Sequence, residues 1–209
     1  MNGYGIRKMN DESEPVGATP GDDISGLLLI QLHNREDRNA VELESISRAY
    51  DKHIYRARKK ARNTEWLTDA YIREAHKDMF GSIWDWAGKY RTVQLNIGVD
   101  CHLIPEQVNI LCRDFRYWDS DECAMPAVEI AARLQHRLTK IHPFRNGNGR
   151  HARLITDIFF HSREHRLPKW PQIQLESQGD AIRERYIKAM KTADQGDYTE
   201  LIRLIEEYT

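Results

Sequence analysis

His142-Pro143-Phe144-Arg145-Asn146-Gly147-Asn148-Gly149-Arg150-His151-Ala152-Arg153 lies between two stretches of helical periodicity, and its reading decides the rest of the chain. Before it, Ala131, Leu134, Leu138 and Ile141 recur at helix spacing behind Pro126, a residue suited to a first helical turn. After it, Leu154, Ile155, Ile158 and Phe159 resume the pattern from about Gly149. Between them, Gly147 and Gly149 let the backbone turn sharply and let a ligand approach the main chain. The break ends at a helix N-terminus, where unpaired N–H groups and the positive dipole end attract anions, and successive N–H groups form a nest for phosphate. Arg150 and Arg153 are three apart and share a face of that helix, where guanidinium forks grip phosphate oxygens. Asn148 is placed to cap the helix or to donate its amide to a phosphate oxygen. His142 ends the preceding helix, and an imidazole near its free pKa of about 6.5 suits a general base at neutral pH. Two glycines alone read as a helix–helix turn, whereas all twelve residues in this order read as an anion site beside a base.

The flanking chain is mostly helical. From about Asn39, Leu43, Ile46, Tyr50, Ile54 and Ala57 form one apolar stripe, followed by the basic run Arg56, Arg58, Lys59, Lys60 and Arg62 at a helix end. Thr68 to Phe80 carries Ile72, Ala75, His76, Met79 and Phe80 on one face, with His76 read as a core-edge histidine. Pro105 opens a helix with Val108, Leu111, Cys112 and Phe115 inward. Two further helices fit 180–193 and 198–207, with Asp197 and Glu200 as a capping box for the last. Only Thr92 to Val99 alternates with period two: Val93, Leu95, Ile97 and Val99 against Thr92, Gln94, Asn96 and Gly98. That pattern predicts a strand, folded into a small hairpin. The expected architecture is mainly α with one β-hairpin, divided into an irregular N-terminal segment (1–35) and a single domain (36–209).

Composition narrows the function classes. Of 209 residues, 40% are apolar, and five Trp and nine Tyr argue for a packed core. A net charge of −1, from 31 basic and 32 acidic side chains, gives no global basic field and no reason to expect nucleic-acid binding. Three cysteines without a C-x-x-C pair speak against a disulfide framework or a zinc ribbon. The N-terminus has no signal-peptide core, and the longest apolar run, Leu27 to Ile30, is too short for a membrane span. A soluble cytoplasmic protein is the expectation.

The twelve-residue segment resembles the signature of the Fic (Fic/Doc) family, H-P-F-x-[D/E]-G-N-G-R-x-x-R. Trp86-Ala87-Gly88-Lys89-Tyr90-Arg91 resembles the family's W-A-G-x-x-R segment, and Ala193 to Tyr198 a frequent C-terminal stretch, so the likeness covers roughly 65 to 205. It implies a compact Fic-type helical bundle whose β-hairpin serves as a flap. The implied activity is transfer of AMP from ATP, with Mg²⁺, to a Tyr, Ser or Thr hydroxyl of a target protein. By resemblance, His142 deprotonates that hydroxyl, Gly147, Asn148 and Gly149 form the anion hole, and Arg150 and Arg153 hold the phosphates. Phe144 anchors the loop, and the flap, through Val93, Leu95 and Ile97, docks an extended target segment by adding a strand.

Two departures from the family pattern stand out. The acidic position, which holds Mg²⁺ in the family, is Asn146 here; it keeps an oxygen ligand but loses the charge, which predicts weaker metal binding and slower transfer. With Asn96 to Asp100, this variant is similar to a Fic subgroup labelled mobile mystery protein B, which tends to be encoded beside a small helix-turn-helix protein. No Glu is followed by Gly or Asn, so the family's [S/T]-x-x-x-E-[G/N] inhibitory helix is missing; either Arg153 is free or a small inhibitory partner supplies the glutamate in trans. Two other readings compete: a nucleotide-binding module with little or no catalysis, and a Fic-type transferase with another donor. His161-Ser162-Arg163-Glu164-His165 matches the zinc motif H-x-x-E-H, but three fixed letters at a helix end are a weak signal.

Overall fold

The helix that follows the glycine break is buried almost all round, as expected only of a helix at the centre of a core. In the computed structural model this helix, Asn148–Glu164, is enclosed on every side from His151 to Ser162. The structure describes residues 24–29, 35–57, 64–164, 166–177 and 179–209. The basic residues Arg58, Lys59, Lys60 and Arg62, His165 of the zinc-like motif, and most of segment 1–35 lie outside them.

Eight α-helices are described: α1 (Arg35–Ala57), α2 (Asp69–Phe80), α3 (Ile104–Trp118), α4 (Ala127–Ile141), α5 (Asn148–Glu164), α6 (Gln172–Glu176), α7 (Ala181–Ala193) and α8 (Thr199–Tyr208). Central α5 packs against α4, α1 and α2; α3 and α8 cover α4, and α7 bridges α6 and α8. Local signals set the helix starts: Thr68 accepts a hydrogen bond from the Tyr71 N–H at the head of α2, and Asp180 accepts from Ile182 at the head of α7. The apolar positions expected on α2, α3 and α4 are all buried. Phe80, Phe115, Phe144, Phe159 and Phe160 are fully enclosed, each contributing about 1.5–3 kcal/mol by burial.

Three local expectations fail. On α1, Leu43 is 66% exposed; Ala57 is buried as expected and Ile46, Tyr50 and Ile54 are partly buried against the core, but the most buried line is shifted to Glu42, Ser45, Ala49 and His53. Polar residues occupy it because each finds a partner: Ser45 meets Ser82, and His53 bridges Tyr71 and Asp78. At α8 no capping box forms; Asp197 accepts from the Thr199 N–H, while the Glu200 carboxylate pairs with Arg185 at 2.7 Å.

The third correction concerns 92–99. No described residue lies in a β-strand, and the expected hairpin is a bent loop without regular structure. Its alternation reflects one-sided burial, with Leu95, Ile97 and Val99 half-buried and the residues between them exposed. Side chains supply the bonds that a ladder would provide: Arg91 donates to the carbonyls of Val93 and Val99, and Gln94 accepts from the Cys101 N–H. A lone two-stranded hairpin is marginal in water, and these side-chain bonds stand in for its ladder. The one bridge among the described residues joins Leu27 to Trp84, with Leu28 N–H bonded to Ile83 and Asp85 N–H to Gly26 at 2.8 Å each.

Candidate active site

Helix α4 ends at His142, whose backbone is left-handed (φ 51°, ψ 60°) and whose N–H still bonds to the Leu138 carbonyl. Pro143 follows and cannot continue the helix. The side chain is 6% exposed, and neither ring nitrogen has a hydrogen-bond partner among the described residues. Burial lowers its pKa to about 4; the nearby Thr139 carbonyl opposes the shift and the Arg91 charge adds to it. The imidazole is therefore neutral at pH 7, with the Thr139 carbonyl close by but no hydrogen bond of ordinary geometry on either nitrogen.

The loop from Pro143 to Gly147 is held from inside. Phe144 is buried and stacks on His76 with ring centroids 3.7 Å apart. Asn148 clamps the loop: its Oδ1 accepts from the Phe144 N–H and its Nδ2 donates to the Phe144 carbonyl, both at 2.8 Å. The Asn148 amide is thus used within the protein, leaving its backbone N–H for a ligand. His76 accepts from the Gly88 N–H at Nδ1, which places its proton on Nε2, and that nitrogen donates to the Asn146 carbonyl at 3.0 Å. Gly147 has φ 75°, and a Cβ there would lie 2.5 Å from the Phe80 ring.

Gly149 differs. Its φ is ordinary, and a Cβ would meet nothing closer than Arg153 Nη1 at 3.7 Å. Local packing does not require a glycine there, and without a side chain the backbone at the α5 N-terminus is left open. The first intrahelical bond runs from His151 N–H to the Gly147 carbonyl, so the N–H groups of Asn148, Gly149 and Arg150 have no intrahelical acceptor. The two arginines are held from different sides. Arg150 Nη1 pairs with Glu42 of α1 at 3.0 Å and lies over the Phe80 ring, while the other Glu42 oxygen accepts from Trp84 Nε1 at 2.6 Å. Arg153 is buried and not free: its Nη2 donates to Gln172 of α6 at 2.7 Å, leaving Nη1 beside Gly149.

Against the C-terminal end of α4 lies the 92–99 segment, whose Val99 N–H donates to the Ile141 carbonyl at 3.3 Å. Val93 is 51% exposed, while Leu95 and Ile97 are half-buried. Gly98, at φ 93°, comes so close that a Cβ would lie 2.6 Å from His142 Cβ.

The stretch that carries this histidine, the 92–99 segment and the first turns of α5 is also the one the family comparison matches: residues 66–160 match the Fic/DOC family. The chain contains a Fic/DOC domain. Protein adenylyltransferase fic-1 of Caenorhabditis briggsae is 30% identical to it over 141 residues, which are 66% of this chain and 26% of that relative. Protein adenylyltransferase Fic of Aedes aegypti is 26% identical over 148 residues, 69% of this chain and 28% of the relative. The chain thus matches about a quarter of the length of these curated relatives. In fold, the Fic domain is similar to a Fic domain containing signaling protein from Bacteroides thetaiotaomicron (TM-score 0.64, 19% identity, covering 78% of this chain and 68% of that one). It is also similar to the BepC protein of Bartonella tribocorum solved with bound AMPPNP (TM-score 0.56, 18% identity, 81% and 86%).

The residues of this Fic domain do not form a magnesium site on their own. Asn146 Oδ1, the one ligand expected, accepts from the Gly147 N–H at 2.7 Å, and no group of three His, Cys, Asp or Glu that could hold a metal occurs among the described residues. Likewise, none of the described helices is long and apolar enough to cross a membrane. The sequence reading gave no part in holding the motif to four residues that do so: Glu42, His76 (read only as a core-edge histidine), Arg91 and Gln172. Arg91 alone carried a signal, as the end of the W-A-G-x-x-R segment.

Proposed function

We propose that this Fic domain transfers AMP from ATP to a Tyr, Ser or Thr hydroxyl of a target protein. The observation that carries the reading is a buried, neutral His142 with both ring nitrogens unbonded, one short loop away from the open N-terminus of α5 and Arg153. The names of the adenylyltransferase relatives support it. In the proposed step the target hydroxyl oxygen bonds to the α-phosphorus as its proton passes to His142. The bond from that phosphorus to the bridging oxygen breaks, and pyrophosphate leaves. The N–H groups of Asn148, Gly149 and Arg150, with the Arg153 guanidinium, would carry the phosphate charge, and positioning with charge neutralisation does most of the work in such transfers. Phosphate charge beside His142 raises its proton affinity from the low value of the free site, which makes it a better base once the nucleotide is in place. The 92–99 segment would accept an extended target stretch along its exposed edge. Mg²⁺ would rest mainly on the phosphates, with Asn146 at its margin, and no step above depends on it.

A second reading, a nucleotide-binding module with little transfer, is favoured by the neutral Asn146 and by the Glu42 carboxylate on Arg150. Intact-protein mass spectrometry separates the two. The chain is incubated with Mg²⁺ and each nucleoside triphosphate in turn, with lysate proteins as acceptors, beside His142→Ala. A gain of one nucleotidyl group that His142→Ala abolishes supports transfer and names the donor. Binding of ATP without any gain of mass supports the module.

A further inference from the structure

Arg91 has no carboxylate within ion-pair reach among the described residues, although the Asp100 charge attracts it from further off. It is 4% exposed, and no ion pair reaches it among the described residues. Burying an unpaired charge is costly unless other groups compensate. Here the compensation comes from the C-terminal end of α4, whose unpaired carbonyls and negative dipole end favour a cation. A helix cap needs one donor, yet the Arg91 fork makes three bonds. Nε donates to the His142 carbonyl at 2.8 Å, Nη1 to the Val93 carbonyl at 3.0 Å, and Nη2 to the Val99 carbonyl. Its own N–H donates to the Pro143 carbonyl at 2.9 Å, and the Val99 N–H donates to the Ile141 carbonyl at 3.3 Å. Both ends of the 93–99 segment are therefore joined to the backbone of His142 through one planar group. Gly98 completes the contact, since a Cβ would lie 2.6 Å from His142 Cβ and 2.7 Å from Arg91 Nη2.

We propose that Arg91 is a positioning residue: it holds His142 in its left-handed cap and sets the gap between the imidazole and the 92–99 segment, so that base and target-docking edge move as one unit. This rests on the reading of His142 as the base. The alternative, a purely structural role that caps α4 and holds the 92–99 segment in place of a ladder, uses the same three bonds, and the readouts below separate it from positioning. The Arg91 charge also helps to keep His142 neutral, in line with its lowered proton affinity.

The test uses the full chain and three variants. Arg91→Lys keeps the charge, but one ammonium cannot reproduce a planar fork across three carbonyls. Arg91→Gln keeps a donor and removes the charge. Gly98→Ala leaves Arg91 intact and wedges a methyl group between it and His142. Self-labelling with Mg²⁺ and ATP gives kcat and KM, and the ¹⁵N resonances of His142 give its titration midpoint. A small displacement of a reacting group costs up to about 100-fold, so kcat is expected to fall roughly 10- to 100-fold in all three variants, with KM for ATP within roughly threefold. The His142 midpoint is expected to rise from about 4 towards the ordinary value, furthest in Arg91→Gln. Arg91→Lys with unchanged kcat and an unchanged midpoint overturns the proposal, as does a loss confined to KM. If the unaltered chain labels nothing, the transfer reading fails on its own, and the titration decides: a midpoint unmoved in Arg91→Gln overturns the positioning role. If the Arg91 variants do not fold, Gly98→Ala carries the test, and wild-type kcat in that variant overturns it.

Discussion

Adding one methyl group at Gly147 or at Gly149 should break different things, although the two positions are two residues apart. At Gly147 the backbone is left-handed, and a Cβ would sit 2.5 Å from Phe80 Cε2 and Cζ. The conformation costs a non-glycine residue about 1–2 kcal/mol and the overpacking about 1–3 kcal/mol, together about 2–5 kcal/mol. In a chain of this size each kcal/mol moves Tm by about 2–4 °C, so Gly147→Ala is expected to melt roughly 4–20 °C lower. At Gly149 the same methyl group finds only Arg153 Nη1 at 3.7 Å, an ordinary contact. Alanine favours a helix over glycine by up to about 1 kcal/mol, so Gly149→Ala is expected to melt at or slightly above the unaltered temperature. Its methyl group would cover the first-turn N–H groups, and ATP is expected to bind at least about tenfold more weakly, or about 1.4 kcal/mol. Thermal melts and titration calorimetry with ATP measure both halves. A Gly149→Ala protein that binds ATP normally would refute the placement of the anion site, and a Gly147→Ala protein with unchanged Tm would refute the contact with Phe80.

Further expectations follow from the same geometry. His53, His76, His136, His142 and His151 are all held below the ordinary histidine value, in each case foremost by burial. The unfolded chain takes up protons that the folded one refuses, so stability is full above about pH 6.5 and falls as pH drops from there towards 4. His142 alone accounts for about 3 kcal/mol of that loss, and Asp157, raised by burial, opposes it as one group against five. Urea melts at pH 7 and pH 4.5 that coincide would contradict this. Asn146→Asp restores a carboxylate whose attraction for a cation at about 4 Å is on the order of 4 kcal/mol before hydration is counted, so the Mg²⁺ needed for half-maximal labelling should fall about tenfold or more. An unchanged Mg²⁺ dependence would place the metal away from residue 146. Glu42→Gln keeps an acceptor for Trp84 but removes the charge that holds Arg150, and ATP is expected to bind several-fold more tightly by calorimetry. Weaker binding would mean that Glu42 orients Arg150 instead of competing for it.

Much of the helical frame was legible because helix formation is a local affair. On α2, α3 and α4 the residues expected inward at i, i+3 and i+4 are the ones buried, and the glycine break falls between α4 and α5 where expected. The same logic misplaced the inward stripe of α1, because Glu42, Ser45 and His53 are buried by virtue of partners elsewhere in the chain. It also turned the 92–99 alternation into a strand, because period two reports which side is buried and cannot report whether another strand is there to pair.

By itself, then, the sequence determined the longer helices, the glycine break between α4 and α5 and the placing of His142 at a helix end, all consequences of spacing within a few residues, whereas the short helix α6 and the division of labour between Gly147, which turns, and Gly149, which keeps an ordinary φ, came from the structure. Only the tertiary structure decided what each of these groups touches. The Arg150–Glu42 pair spans 108 residues, the His76 bond to Asn146 spans 70, the Arg91 bond to His142 spans 51, and Arg153 meets Gln172 across 19. Such pairs leave no periodic trace, because a side chain meets a distant partner through the packing of whole helices and not through its own place in a repeat.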